Sequence, residues 1–168
     1  MSELPVVSLS VSARWLGLVA IDRALRPREA RACSLRRFAL EQDRAAFAAK
    51  AVRQLVERVR PATIVVEERK VDGRGKQFRV VGEAVQGMLA GYSLRRMSLA
   101  SACMVLTGGS DVARTAVHLA DRHDVLARQL DLSTPASPFC GRYREIRPLL
   151  VALALAEVVA LEHLTAHG

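Results

Sequence analysis

Near the start of the chain apolar and polar residues alternate with a period of two, and further on the period shifts towards four. Val7, Leu9 and Val11 alternate with Ser8, Ser10 and Ser12, which predicts a strand. After Ala13-Arg14-Trp15 a second apolar run, Leu16 to Asp22, predicts another, and so short a connection predicts a hairpin. Arg23 to Arg31 is charged, contains Pro27 and predicts a loop. Cys33 to Leu40 predicts a third strand at the sheet edge, where Arg36 and Arg37 interrupt its apolar face. From Glu41 to Val59 the apolar residues Phe47, Ala51, Leu55 and Val59 recur every four, widened by Ala48 and Val52. This predicts an amphipathic helix that Pro61 stops.

The next stretch organises the rest. Thr63-Ile64-Val65-Val66 is β-branched throughout and ends in Glu67-Glu68. Consecutive apolar positions predict a strand covered on both faces, as in the interior of a layered α/β sheet. Carboxyl ends of such strands are where ligands sit. Two readings follow. Glu67 or Glu68 faces a metal or a polar substrate, or one Glu ends the strand while the other pairs with Arg69 or Lys70. Gln77 to Tyr92 predicts a helix with Phe78, Val81, Val85, Met88 and Leu89 inward, and with Gly82 and Gly87 marking close packing. Ser93 to Leu99 predicts a short strand, and Ser98 or Ser101 caps a brief helix through Leu106. A turn at Gly108-Gly109 leads to a helix over Asp111–Gln129. An irregular stretch, Ser133 to Arg144, precedes a final helix, Leu149 to Leu164, with Pro148 near its first turn. The final helix is apolar almost all round and is expected to be deeply buried. The order is β-β-β-α-β-α-β-α-α-α, an α/β fold with a mixed five-stranded sheet and helices on both faces, in a single domain over residues 1–168.

Composition narrows the function. A hydrophobic fraction of 51% excludes wholesale disorder. No apolar run approaches the roughly 18–20 residues that span a bilayer, Leu149 to Leu161 coming nearest, so no membrane is expected. Met1 to Pro5 lacks the features of a signal peptide. Cys33, Cys103 and Cys140 have no metal-ligand spacing, which suits reduced thiols and a cytoplasmic location. The net charge of +8 favours a polyanionic partner, although arginine in an Ala/Arg-rich sequence supplies most of it. Aromatics at 4% exclude an extensive base-stacking platform.

This order, with these residues, resembles the ribonuclease H-like fold and, within it, the RuvC-type Holliday junction resolvases. Ser10-Val11-Ser12-Ala13-Arg14-Trp15-Leu16-Gly17-Leu18 lies in the frame of the family's first strand, Asp-Pro-Gly turn and glycine-containing second strand. Glu67 in Ile64-Val65-Val66-Glu67 matches the catalytic Glu that ends the family's central strand. Gly82 falls on a family glycine, and Arg114 falls near a family basic residue after a turn like Gly108-Gly109. Pro148 to Leu155 overlays the terminal helix.

The departures weigh more than the matches. The resemblance implies about four carboxylate-class ligands holding two divalent metals. The first-strand Asp position is Ser10, and the last-helix pair is Pro148 and Val151, which leaves Glu67 as the residual catalytic position. Hard Mg²⁺ needs oxygen ligands, and two cations need several negative charges to offset their repulsion. No metal and no cofactor are therefore expected. The reading is a RuvC-like, nuclease-inactive protein that binds branched or structured DNA or RNA, with a homodimer implied by the resemblance. The basic residues Arg69, Lys70, Arg74, Lys76, Arg79 and Arg114 are its candidate nucleic-acid contacts, and Arg95-Arg96 and Arg142-Arg144-Arg147 would extend the patch.

Two alternatives stand beside it. One is an active Mg²⁺-dependent junction endonuclease whose site is rebuilt from Asp22, Asp72, Glu145 or, from further along the last helix, Glu157. The other is a structural subunit of a larger nucleoprotein assembly. His118 and Asp121, which mimic a family motif, sit one helical turn apart and read as a hydrogen-bonded surface pair.

Overall fold

The computed structural model describes residues 5–69 and 76–166, and for residues 76–78 the backbone only. Among the described residues, β1 (Val6–Val11), β2 (Trp15–Ile21), β3 (Pro27–Ser34), β4 (Thr63–Glu67) and β5 (Leu94–Met97) form one sheet in the order β3-β2-β1-β4-β5. The first three make an antiparallel meander, and β4 and β5 join it in parallel. Helices α1 (Glu41–Val59) and α2 (Lys76–Met88) cover one face. On the other face lie α3 (Leu99–Thr107), α4 (Val112–Ala120), α5 (Asp124–Ala127) and α6 (Tyr143–Ala166). The mixed five-stranded α/β sheet expected from the sequence is the one observed.

The two-residue period of β1 divides its side chains between these layers. Val7, Leu9 and Val11 pack with α1 and α2, and the opposite positions, Val6, Ser8 and Ser10, face α6. All six positions are buried, so the serine face meets a helix and not water. Small side chains there let α6 lie close. The Ser8 hydroxyl donates to the Ala152 carbonyl, and Gly17 of β2 meets the backbone of Pro148. On β4, Ile64 belongs to the α1–α2 layer and Val65 to the α6 layer, as a strand covered on both sides requires.

Ion pairs fix α6 at two positions toward its C-terminal end. Arg95 of β5 shares register with Val65 and so points to the α6 face, where its guanidinium forms a two-pronged pair with Glu162. Glu157, fully buried, accepts from Arg122 and from His123 Nε2 at 2.7 Å, with His118 Nε2 3.9 Å away. Burial works to raise the Glu157 carboxyl, but the His123 bond and charge and the Arg122 guanidinium outweigh it and hold it below the ordinary carboxylate value. A bond to a carboxylate requires the proton on His123 Nε2. His123 Nδ1 is buried with no hydrogen-bond partner among the described residues.

Several elements differ from the sequence reading. The third strand is Pro27–Ser34, not Cys33 to Leu40, so the segment expected as a loop is the edge strand. Its apolar face is only Ala30 and Ala32, packed on the α6 layer, while Arg28, Glu29 and Arg31 sit on an edge that tolerates charge. The helix α2 stops at Met88, and at Gly87 an added Cβ would meet nothing within 4 Å, so close packing does not explain that glycine. The helix expected over Asp111–Gln129 is two helices, broken where His123 turns inward to Glu157. The pair expected between His118 and Asp121 does not form: His118 faces Glu157, and Asp121 is exposed at the end of α4.

The last helix begins at Tyr143, which makes Pro148 its sixth residue and leaves the Arg144 carbonyl without its usual N–H donor. At 24 residues α6 is, by length and composition, long and apolar enough to cross a bilayer, contrary to the expectation that no run comes near. Here Ile146 and the whole stretch from Pro148 to Ala160 are buried against the sheet and the neighbouring helices.

Ser98 is the N-cap of α3, its hydroxyl accepting from the Ser101 N–H at 3.1 Å. Replacing it with Ala leaves that N–H to water, and Ser98→Ala is expected to lower stability by about 1 kcal/mol in urea unfolding.

Candidate functional site

The register of β1 and β4 creates the site. Leu9 lies beside Val66, so the next pair along the two parallel strands is Ser10 and Glu67, at the carboxyl edge of the sheet. Glu67 is two residues beyond Val65 and points the same way, toward α6. Its side chain is only 3% exposed. Among the described residues, three groups hold it. Ser10 Oγ donates to Oε2 at 2.7 Å, and Arg69 Nε donates to Oε2 at 3.0 Å. From α6, Arg147 donates to Oε1 at 2.5 Å and reaches Oε2 at 3.4 Å. Glu68, the other half of the acidic pair, is exposed and uses its backbone N–H on the Met97 carbonyl.

Electrostatics follow from this geometry. Burial pushes the Glu67 carboxyl up, and the Arg147 bond, the charges of Arg69 and Arg147 and the Ser10 bond together bring it below its ordinary value of 4.5. The Arg147 guanidinium, disfavoured by its own burial, is held charged by the Glu67 bond and charge and by Tyr143. One carboxylate thus faces two guanidinium groups.

Ser10 and Glu67 come together as the sequence reading placed them. Pro148 and Val151 lie on the helix that flanks the pair, Pro148 with its carbonyl against Gly17, the register partner of Ser10, and Val151 fully buried. Arg69 is drawn into the site as a partner of Glu67. Arg79 is exposed and paired with Glu83 at 2.8 Å on α2. Arg114 is exposed in the first turn of α4, its backbone N–H capped by Asp111. Lys70, Arg74, Asp72 and the side chain of Lys76 lie outside the described residues. Of the extensions to the basic patch, Arg95 is neutralised by Glu162, and Arg147 turns inward.

Arg147 is the residue that sequence reasoning misplaced, by grouping it with Arg142 and Arg144 on the surface. The signal was its position between Ile146 and Pro148 at the head of an apolar helix. A charge there needs a partner in the core.

The described residues at this site do not fit a pair of divalent ions. A hard cation needs several oxygen ligands, and Glu67 offers one carboxylate already bound by two fixed positive groups that repel any metal. Among the described residues no three His, Cys, Asp or Glu side chains are placed to share an ion. Among the described residues, the candidate replacements Asp22, Glu145 and Glu157 are engaged elsewhere. Asp22 follows Ile21, the register partner of Val6, so it lies at the opposite edge of the sheet from Glu67, and it accepts from the Ala24 and Arg26 N–H groups at 2.9 Å. Glu145 is exposed and pairs with Arg142. Glu157 stands ten residues beyond Arg147, about 15 Å along the helix, in its own buried cluster.

The sheet order and the terminal helix across it fit an α/β ribonuclease H-like fold, with a glutamate at the end of the middle one of its three parallel strands. Comparison with family models and with curated proteins gives no match. Among solved structures, the chain is similar to Thermus thermophilus RuvC in complex with a Holliday junction substrate, with a TM-score of 0.64 and 14% identity over 94% of this chain and 96% of that one. It is likewise similar to another structure of T. thermophilus RuvC (TM-score 0.63, 16% identity, 95% and 97% covered). The yeast mitochondrial Holliday junction resolvase Ydc2 shares the fold at a TM-score of 0.62 and 9% identity, over 96% and 81% of the two chains. At such identities the likeness establishes the fold.

Proposed function

We propose that this protein is a RuvC-like nucleic-acid-binding protein without nuclease activity, which engages branched or structured nucleic acid, branched DNA foremost, at the carboxyl edge of its sheet. The observation that carries this reading is the capture of Glu67 by Arg147, Arg69 and Ser10. A carboxylate neutralised by two guanidiniums is not available to bind Mg²⁺. A net charge of +8 and the fold shared with junction-binding RuvC support the nucleic-acid partner.

The test is a titration of a labelled four-way junction and of a duplex of equal length at two salt concentrations, followed by incubation with Mg²⁺ or Mn²⁺. Junction binding that stays ahead of duplex binding as salt rises, with intact strands on a denaturing gel, is the expected result. Metal-dependent nicking that Glu67→Gln abolishes overturns the inactive reading. Equal, weak binding to both substrates overturns the branched-DNA reading and favours a structural subunit that uses the fold to hold other partners.

A further inference from the structure

One group of arginines lies away from the Glu67 pair. Arg14 is in the turn between β1 and β2, and its carbonyl accepts the Leu35 N–H at 2.8 Å. That bond ties the turn to the segment leaving β3, where the next residue, Arg36, has its N–H held by Ser34 Oγ at 3.3 Å. Next in the chain, the Arg37 guanidinium lies over two rings, 4.8 Å from the centre of Phe38 and 4.6 Å from that of Phe47. The rings are themselves 5.2 Å apart, and Arg44 Nε secures the Phe38 carbonyl at 2.8 Å. Arg14, Arg36 and Arg37 are all exposed, and among the described residues none of them forms an ion pair. The acids nearest Arg36 and Arg37 in sequence, Glu41 and Asp43, lie in the first turn of α1, where they complement the helix dipole.

Fold stability does not call for three exposed cations at this tip of the meander, where like charges repel. Their arrangement suits a polyanion. A guanidinium held over two aromatic rings keeps N–H donors for an oxyanion and loses little freedom when it binds one. The position is also consistent. Ser34 pairs with Trp15, so the end of β3 and the β1–β2 turn share the carboxyl edge with Ser10 and Glu67. Three strand spacings separate β3 from β4, about 14 Å, which is about four base steps along one nucleic-acid strand.

We infer that Arg14, Arg36 and Arg37 form a second phosphate-backbone site, which holds a nucleic-acid arm running from the Glu67 end across the tip of the meander. This rests on the proposed nucleic-acid binding and adds where an arm lies.

The experiment measures affinity of the full chain for a four-way junction with long arms, between 50 and 200 mM salt (roughly the range over which counterion release is read). Each phosphate contact contributes about 0.9 to the slope of log affinity against log salt. The triple variant Arg14→Gln, Arg36→Gln, Arg37→Gln is expected to be shallower by about 2 to 3, and to bind at least about tenfold more weakly at the lower salt. The double variant Arg14→Gln, Arg36→Gln leaves the Arg37 contacts with Phe38 and Phe47 in place, and is expected to lose about 2 from the slope. A wild type that binds while both variants keep its slope overturns this inference alone. A wild type that binds no nucleic acid overturns the proposed function and this inference with it.

Discussion

Glu67→Gln is expected to cost about 3 kcal/mol of stability at neutral pH, although it removes only a charge. Breaking a buried ion pair by neutralising one partner costs about 3–5 kcal/mol, because the remaining charge stays desolvated. Arg69 and Arg147 retain side-chain exposures of 27% and 26%, which places the effect at the lower end. For a chain of this size that is a fall of about 6–12 °C in melting temperature. The effect carries a pH signature. The folded-state pKa of Glu67 lies below its ordinary 4.5, so its contribution is complete above 4.5 and disappears as pH falls through the lower folded value. Wild type and variant are therefore expected to differ most at pH 6–7 and to converge in acid. Melting curves across that range check it, and equal melting temperatures at pH 7 would sink the assignment. Added Mg²⁺ is expected to leave the wild-type curve in place, since the Arg69 and Arg147 guanidiniums already bond both Glu67 oxygens.

What was legible in the sequence was whatever depends on local pattern. The four-residue recurrence in Glu41–Val59 and the β-branched run ending at Glu67 each have a local cause, and both match the structure at those residues. Glu67 was legible as a candidate site residue because a buried strand ending in a carboxylate is unusual. What was not legible depends on contacts made across the chain. The edge strand Pro27–Ser34 turns only Ala30 and Ala32 to the α6 layer and Cys33 to the other, so charge masked its period. The break before His123 is imposed by Glu157, 34 residues away in the chain. The role of Arg147 depends on Glu67, 80 residues earlier, and the neighbours of an arginine do not encode the direction in which it points. Pairing of a strand-end glutamate with Arg69 was readable from the local run, but the second guanidinium on Glu67, Arg147, was not.

Gly17→Ala is expected to be the most disruptive exchange of a single small side chain in this fold. A Cβ on Gly17 would lie 2.0 Å from the Pro148 oxygen and 2.5 Å from its carbonyl carbon. Both are backbone atoms of α6, so no rotamer change relieves the clash. The helix must withdraw, and from Pro148 to Ala160 every one of its residues is buried. Overpacking a core commonly costs about 1–3 kcal/mol and at times more, and a fixed backbone neighbour argues for 3 kcal/mol or beyond. Withdrawal would also move Arg147, which precedes Pro148, away from Glu67. Gly17→Ala should then reproduce part of the acid-dependent signature of Glu67→Gln as well as its loss of stability. Gly87→Ala supplies the comparison: its Cβ enters open space in the last turn of α2, and the lower entropy of the unfolded chain should raise stability by about 0.4–1 kcal/mol. Chemical denaturation of the two variants at pH 7 should shift the midpoint in opposite directions. A Gly17→Ala protein as stable as wild type would mean that α6 does not rest on β2 as closely as the Glu67–Arg147 pair requires.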